Sequence, residues 1–283
     1  MARLYTGQIA PRQSAMGAGG GGGRDAPAFP VRTIPQGNAF ARQRIPKADQ
    51  PHAMFTLYHH PFCPLSRAVR ISMGEYGIGA EFIEERLWER RRGFLEINPA
   101  NTLPVMIVGQ TSQVIGVRPI LEFLDETKGA SLGPRRLMPA DPYDRAEVRR
   151  LLDWFDIGFN GDVTGYLVRE KIYKRFMKPE HGGGAPDTRL ILAGTRNLRM
   201  HMAYISHLAV RRNWLAGETL SYADIAAAAH LSSLDYLGDV PWDDFEHAKV
   251  WYARVKSRPS FRPLLIDQVP GVRPAPSYVD LDF

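Results

Sequence analysis

The chain has 283 residues with one Cys and a formal net charge of +6. That length allows one large domain or two small ones with a sizeable core. A single thiol excludes an internal disulfide and any four-thiolate metal site, and no run approaches the ~18 apolar residues of a membrane span.

Residues 1–53 read as a disordered leader, with eight Gly and six Pro. The run Gly19 to Gly23 lacks the Gly-Lys-Ser/Thr ending of a phosphate loop. The leader is Arg-rich like a transit peptide, yet it has one serine and no amphipathic period. It carries seven Arg/Lys against two acids, which leaves 29 basic and 28 acidic residues in the rest. A body so close to neutral gives no argument for nucleic-acid binding. The folded part is expected to begin at Met54, which reads as an alternative to Met1 as the start.

The stretch FTLYHHPFCPLSRAVR reads as a strand over 55–59, a turn, and a helix over about 64–76. Cys63 precedes Pro64, a residue suited to the first helical position. A thiol there faces the positive end of the helix dipole, which favours thiolate and binds anions. A second strand is expected over 82–85, then a charged loop RLWERRRG, a third strand over 104–108, a fourth near Ile115, and a helix over 119–127. This order predicts a small βαβ–ββα sheet domain over 54–133.

From Asp141 the pattern is helical. Asp141-Pro142 is a cap followed by Pro at the first helical position. One helix is expected to run to about Met177, with Val148, Leu151, Leu152, Phe155 and Phe159 facing inward. Asp187 caps the next, through about Arg212. Ser221 and Asp224 form a capping box ahead of an Ala-rich, closely packed helix. A last helix spans about 245–257, and Pro259 ends it. The tail after 265 has no helical period and ends in SYVDLDF, alternating acidic and apolar residues.

Four segments in this order resemble the glutathione S-transferase superfamily, over about 54–265: CPLSRAVR, INPANTLPVM, LAGETLSYADI and WYARVKSRPSF. The resemblance implies an α/β plus all-α fold. A thioredoxin-like N-terminal domain (54–133) would precede an all-helical C-terminal domain (141–265), usually as a homodimer. It also implies a cis Pro104 and a glutathione site around Cys63, Pro104 and positions 116 and 117. In the superfamily an acidic residue and a serine precede the helix equivalent to ILEFL and hold the γ-glutamyl end of glutathione. This chain has Gly116 and Val117 there. Losing such charge-assisted bonds costs about 1.5–3 kcal/mol each, or one to two decades of affinity apiece. The site therefore reads as degenerate, with Cys63 a vestigial nucleophile and no cofactor or metal expected.

The core beginning MFTLYHHPFCPLSRAVRISMGEYGIGAEF and the ending SYVDLDF are similar to a division-associated branch of that superfamily, whose members bind filaments of the tubulin homologue FtsZ and favour their curvature. This implies a non-enzymatic cytoplasmic adaptor at the division site. Two surfaces are candidates for the partner. Trp88 with Arg90, Arg91 and Arg92 joins the residue types enriched at interface hot spots, although Glu84, Glu85 and Glu89 could make the loop a solvated face. The tail (266–283), with Tyr278, Asp280, Leu281, Asp282 and Phe283, could dock on a partner or fold back on the helical domain. His201 and His207 read as a surface or core pair, and Trp154, Trp214 and Trp251 as core. Two rival functions remain open: glutathione transfer or thiol reduction through Cys63, and a stress-type regulator binding another protein such as RNA polymerase.

Overall fold

The computed structural model describes residues 55–109 and 111–280. The leader, the start at Met54, and Leu281, Asp282 and Phe283 lie outside the described residues. Strands β1 (Phe55–His59), β2 (Ala80–Glu84), β3 (Val105–Val108) and β4 (Ser112–Ile115) form one sheet in the order β2-β1-β3-β4. β1 runs parallel to β2 and antiparallel to β3, which pairs antiparallel with β4. The parallel pair needs a crossover, supplied by α1 (Pro64–Glu75). Alternation sends Phe55 and Leu57 into the main core with α1 and α3 (Val117–Thr127), while Tyr58 packs against Phe94 and Val105 on the other side. Phe94 belongs to α2 (Arg92–Ile97), a short helix where the sequence suggested only charged loop. Its one buried aromatic holds a segment that propensity alone would leave open.

The helical half comprises α4 (Pro142–Asp153), a π-helical stretch (Trp154–Thr164), α5 (Gly165–Lys171), α6 (Thr188–Arg211), α7 (Tyr222–Tyr236) and α8 (Glu246–Lys256). The expected caps are present. Asp141 accepts from the N–H groups of Tyr143 and Asp144, Asp187 from that of Arg189, and Ser221 and Asp224 complete the capping box. Every residue of α7 is buried. A helix enclosed on all sides cannot be amphipathic, and the run Ala226–Ala229 lets its neighbours approach closely.

Two expectations need correction. The helix from Pro142 is continuous to Lys171 but changes to i→i+5 bonding in its middle and ends before Met177. Gly165 shows why the wide turn closes there: a Cβ at this position would lie 2.6 Å from the carbonyl oxygen of Asn160. A short helical turn, α9 (Arg262–Leu265), precedes the tail, and the tail itself contains another, α10 (Pro276–Val279).

The two halves and the tail are bonded together. Fully buried Arg67 on α1 donates to Ser232 Oγ on α7 at 2.8 Å, to Pro61 O at 2.6 Å and to Tyr278 Oη at 3.2 Å. Its guanidinium also lies 4.4 Å from the centroid of Phe62. Tyr278 Oη in turn donates to Leu264 O at 2.5 Å. Arg258 donates to Glu75 through Nε at 2.6 Å and Nη2 at 2.7 Å.

Candidate functional site

A cleft of about 710 Å³ opens where the start of α1 faces the π-helical stretch and α5. Cys63, His60, Trp88, Arg90, Leu103, Thr164 and Tyr173 are among its lining residues; neither Gly116 nor Val117 is. Cys63 is the N-cap of α1, as expected, with Pro64 at the first helical position. Two opposed effects act on its thiol. Burial pushes the Cys63 thiol above its ordinary range, outweighing the opposite pull of the Ser66 hydroxyl, the amides of Ser66 and Leu65, and the charge of Arg67. Apolar surroundings work against the activation that a helix start offers a thiol, and Cys63 is half-buried in the cleft wall.

His60 is lowered to about 3 by burial, with Arg86 and Arg67 adding to the effect, so it is neutral near pH 7. Its Nδ1 accepts from the Phe62 N–H at 3.2 Å. The ring packs 5.7 Å from Trp88 and 4.8 Å from Tyr173, which lie 5.3 Å from each other. These three aromatics come from three separate elements, and Tyr173 was not singled out in the sequence.

At the start of α3, Gly116 has φ of 94°, a conformation that favours glycine, and its N–H donates to Pro104 O at 2.9 Å. The Leu103–Pro104 peptide is cis, as the resemblance implies. α3 has no side-chain cap, Val117 is buried, and the adjacent Arg118 is paired with Asp153. The position therefore presents neither a carboxylate nor a hydroxyl.

Trp88 and Arg90 face the mouth of the cleft, and Arg90 has no ion pair among the described residues. Arg91 turns away, donating through Nε at 3.1 Å and Nη2 at 2.5 Å to Oε2 of buried Glu85. Exposed Arg92 pairs with Glu96 at 3.1 Å, and Arg86 with Glu84 at 3.2 Å. In the tail Asp280 is exposed, while Tyr278 is fully buried and offers no surface to a partner. Lys256 holds this end of the chain by donating to the carbonyls of Ser277 and Asp280. His201 is buried and His207 exposed; Trp251 is buried, and Trp154 and Trp214 are half-buried.

Residues 57–133 match the glutathione S-transferase N-terminal domain, and residues 191–259 the C-terminal domain. The chain is 45% identical to FtsZ-localized protein A of Caulobacter vibrioides over 231 residues, which cover 81% of this chain and 98% of that protein. The chain belongs to the glutathione S-transferase family. Two solved members are similar throughout. A protein described as a glutathione S-transferase from Sinorhizobium meliloti 1021 is 52% identical, with a TM-score of 0.80 over 82% of this chain and 100% of its own. FzlA from C. crescentus is 45% identical, with a TM-score of 0.74 over 81% of this chain and 100% of its own. Within the transferase fold, the arrangement here combines a family cleft with a neutral thiol and a bare start to α3.

Proposed function

We propose that this chain is a non-enzymatic transferase-fold adaptor that binds FtsZ polymer at the bacterial division site and favours its curvature. The observation that carries this reading is similarity over nearly the full length of a protein named for its localisation with FtsZ. The missing acid and hydroxyl at Gly116 and Val117, together with the protonated Cys63, support an outer surface rather than the cleft as the working part.

The mechanism is geometric. A twofold dimer presents two copies of the Trp88/Arg90 face and of the exposed end of the tail. Two weak contacts at fixed spacing gain avidity along a polymer. A spacing that mismatches a straight filament favours a bent one, because binding shifts a conformational equilibrium only through differential affinity. The test is co-sedimentation with GTP-assembled FtsZ, with electron microscopy of filament shape. Pelleting of this protein with curved filaments is expected; a folded protein left in the supernatant would overturn the reading, and pull-down of native partners would then identify a regulator of another protein. Asp280→Lys should abolish pelleting, with the fold of the variant checked by circular dichroism because the exposed Asp280 also offsets the charge of buried Lys256. Undiminished pelleting would remove the tail from the contact.

A second reading, glutathione chemistry, is favoured by the cleft itself, with Cys63 in its wall. Titration calorimetry with glutathione separates the two. Saturable binding, plus thiol-transfer activity lost in Cys63→Ser, would establish the enzyme.

A further inference from the structure

The cleft has two chemically different parts. One is an aromatic wall: Trp88 and Tyr173, both half-buried, with the neutral ring of His60 packed against each. The Nε1 of Trp88 is enclosed and has no hydrogen-bond partner among the described residues, an orphan donor of the kind that water or a ligand normally satisfies. The other part is cationic. Arg90 follows the 3₁₀ turn Leu87–Glu89, and Arg169 belongs to α5. Both are exposed and line the cleft, and neither has an ion pair or side-chain hydrogen bond among the described residues. Their neighbours Arg86, Arg91, Lys171 and Lys174 all have carboxylate partners. Arg90 also holds φ of 47°, a left-handed conformation uncommon for a residue with a side chain; such strain gathers at ligand clamps. Two acids share the lining. Glu85 is already bonded to Arg91, and Glu180 sits on the exposed turn Pro179–His181.

We infer that the cleft is a nucleotide site, with the base stacked along Trp88 and Tyr173 and the phosphates held by Arg90 and Arg169. Charge selects the anion. One guanidinium fork satisfies a single carboxylate, whereas two unpaired forks on separate elements suit a group with several anionic oxygens, such as a phosphate chain. The wall selects the rest. Aromatic side chains accept a flat base through its face and tolerate any base identity, and the uncharged His60 extends that wall without adding a cation. The volume of about 710 Å³ lies within the range of about 300–1,000 Å³ usual for small-molecule and cofactor sites. Neither Gly116 nor Val117 lines this cleft, so the anion clamp is separate from the start of α3. The inference concerns binding and assigns no reaction, and it is independent of FtsZ and of glutathione.

The experiment titrates the full-length protein with ADP, adenosine and inorganic pyrophosphate at low salt in a calorimeter, and maps the site by photo-crosslinking an azido derivative of ADP followed by peptide mass spectrometry. ADP is expected to saturate and to bind more tightly than adenosine or pyrophosphate, because only ADP uses both parts of the cleft. Arg90→Ala and Arg169→Ala should each weaken ADP by about tenfold or more and leave adenosine unchanged, which separates a lost clamp from a damaged fold. Trp88→Leu, which keeps an apolar side chain, should weaken ADP and adenosine alike by about fivefold or more. Arg92→Ala removes an exposed cation that pairs with Glu96 outside the cleft lining, and it should change neither. Crosslinks should fall on the peptides holding Trp88 or Tyr173. ADP that does not saturate, ADP bound no better than pyrophosphate, both arginine variants binding like the parent, or crosslinks only outside the cleft would each overturn the site.

Discussion

Tyr278 tests whether the tail is a packed part of the domain. Its ring is completely buried, stands edge-on to Tyr236 at 5.1 Å, and lies 5.8 Å from the Arg67 guanidinium. Its hydroxyl accepts from Arg67 at 3.2 Å and donates to Leu264 O at 2.5 Å. Tyr278→Ala deletes a whole aromatic from a closed core, a change that costs about 3–5 kcal/mol. For a folded body of this size, each kcal/mol lowers the melting temperature by about 2–4 °C, so a fall of about 6–20 °C is expected. Tyr278→Phe keeps the packing and removes only the hydroxyl. The buried guanidinium and the Leu264 carbonyl then each lose a partner, at about 1–3 kcal/mol in total. Urea titration of the three proteins gives the free energies directly. An alanine variant within about 1 kcal/mol of the parent would refute the reasoning, because no fully packed aromatic comes out that cheaply.

Other perturbations follow from buried polar groups. Burial lowers His59 and His60 from 6.5 to about 3, so the native state stays neutral where the unfolded chain takes up protons. Stability should therefore fall as the pH drops from about 6.5 toward 3, by about 1.4 kcal/mol per pH unit per histidine. His60→Asn, which keeps an acceptor for the Phe62 N–H, should reduce that slope by one histidine's share in urea titrations; an unchanged slope would mean His60 is not buried as a neutral ring. Asp224 accepts from Leu215 N at 2.8 Å, Trp251 Nε1 at 2.9 Å and Ser221 N at 3.0 Å. Asp224→Ala leaves these neutral donors without an acceptor, at about 1–3 kcal/mol for each that stays buried, and Ser221→Ala should cost only about 1 kcal/mol; equal losses would contradict the hub role of the carboxylate. Because burial raises the Cys63 pKa, iodoacetamide should alkylate it more slowly near pH 7 than it does free cysteine, and a faster reaction would restore the activated-thiol view.

Local chemistry made the fold legible where it is decisive on its own. Asp141-Pro142, Asp187 and the Ser221/Asp224 pair each mark a helix start by satisfying free N–H groups. The Cys63-Pro64 turn was equally clear. What stayed hidden depends on contacts between distant segments. The π-helical stretch has the same apolar spacing as an α-helix, and only the approach of Gly165 to Asn160 O distinguishes it. The alternation of Tyr278 with acids leaves docking outward and folding back equally readable; Arg67, 211 positions earlier, meets its hydroxyl in the buried site that takes it in. The cleft brings Cys63 beside Thr164 and Tyr173, a juxtaposition that no window of sequence contains.

The start of α3 connects backbone strain with the choice between the two functional readings. Gly116 takes φ of 94° without penalty, and its N–H is held by Pro104 O. Any acidic residue replacing it would occupy a sparsely populated backbone region, at about 1–3 kcal/mol. That cost is sustained only where something bound to the side chain offsets it. A glutathione ammonium could do so, since one charge-assisted hydrogen bond is worth about 1.5–3 kcal/mol. Without a bound tripeptide the strain has no compensation, and glycine is the more stable residue. The same logic applies at Val117, where an apolar side chain in a buried position gains what a hydroxyl lacking a ligand would lose. Gly116→Glu with Val117→Ser should therefore lower the melting temperature of the free protein and restore part of that stability when glutathione is added. Destabilisation without rescue would mean that the cleft has lost more than these two groups. No destabilisation at all would mean that the turn is not strained, and the argument from glycine would fall.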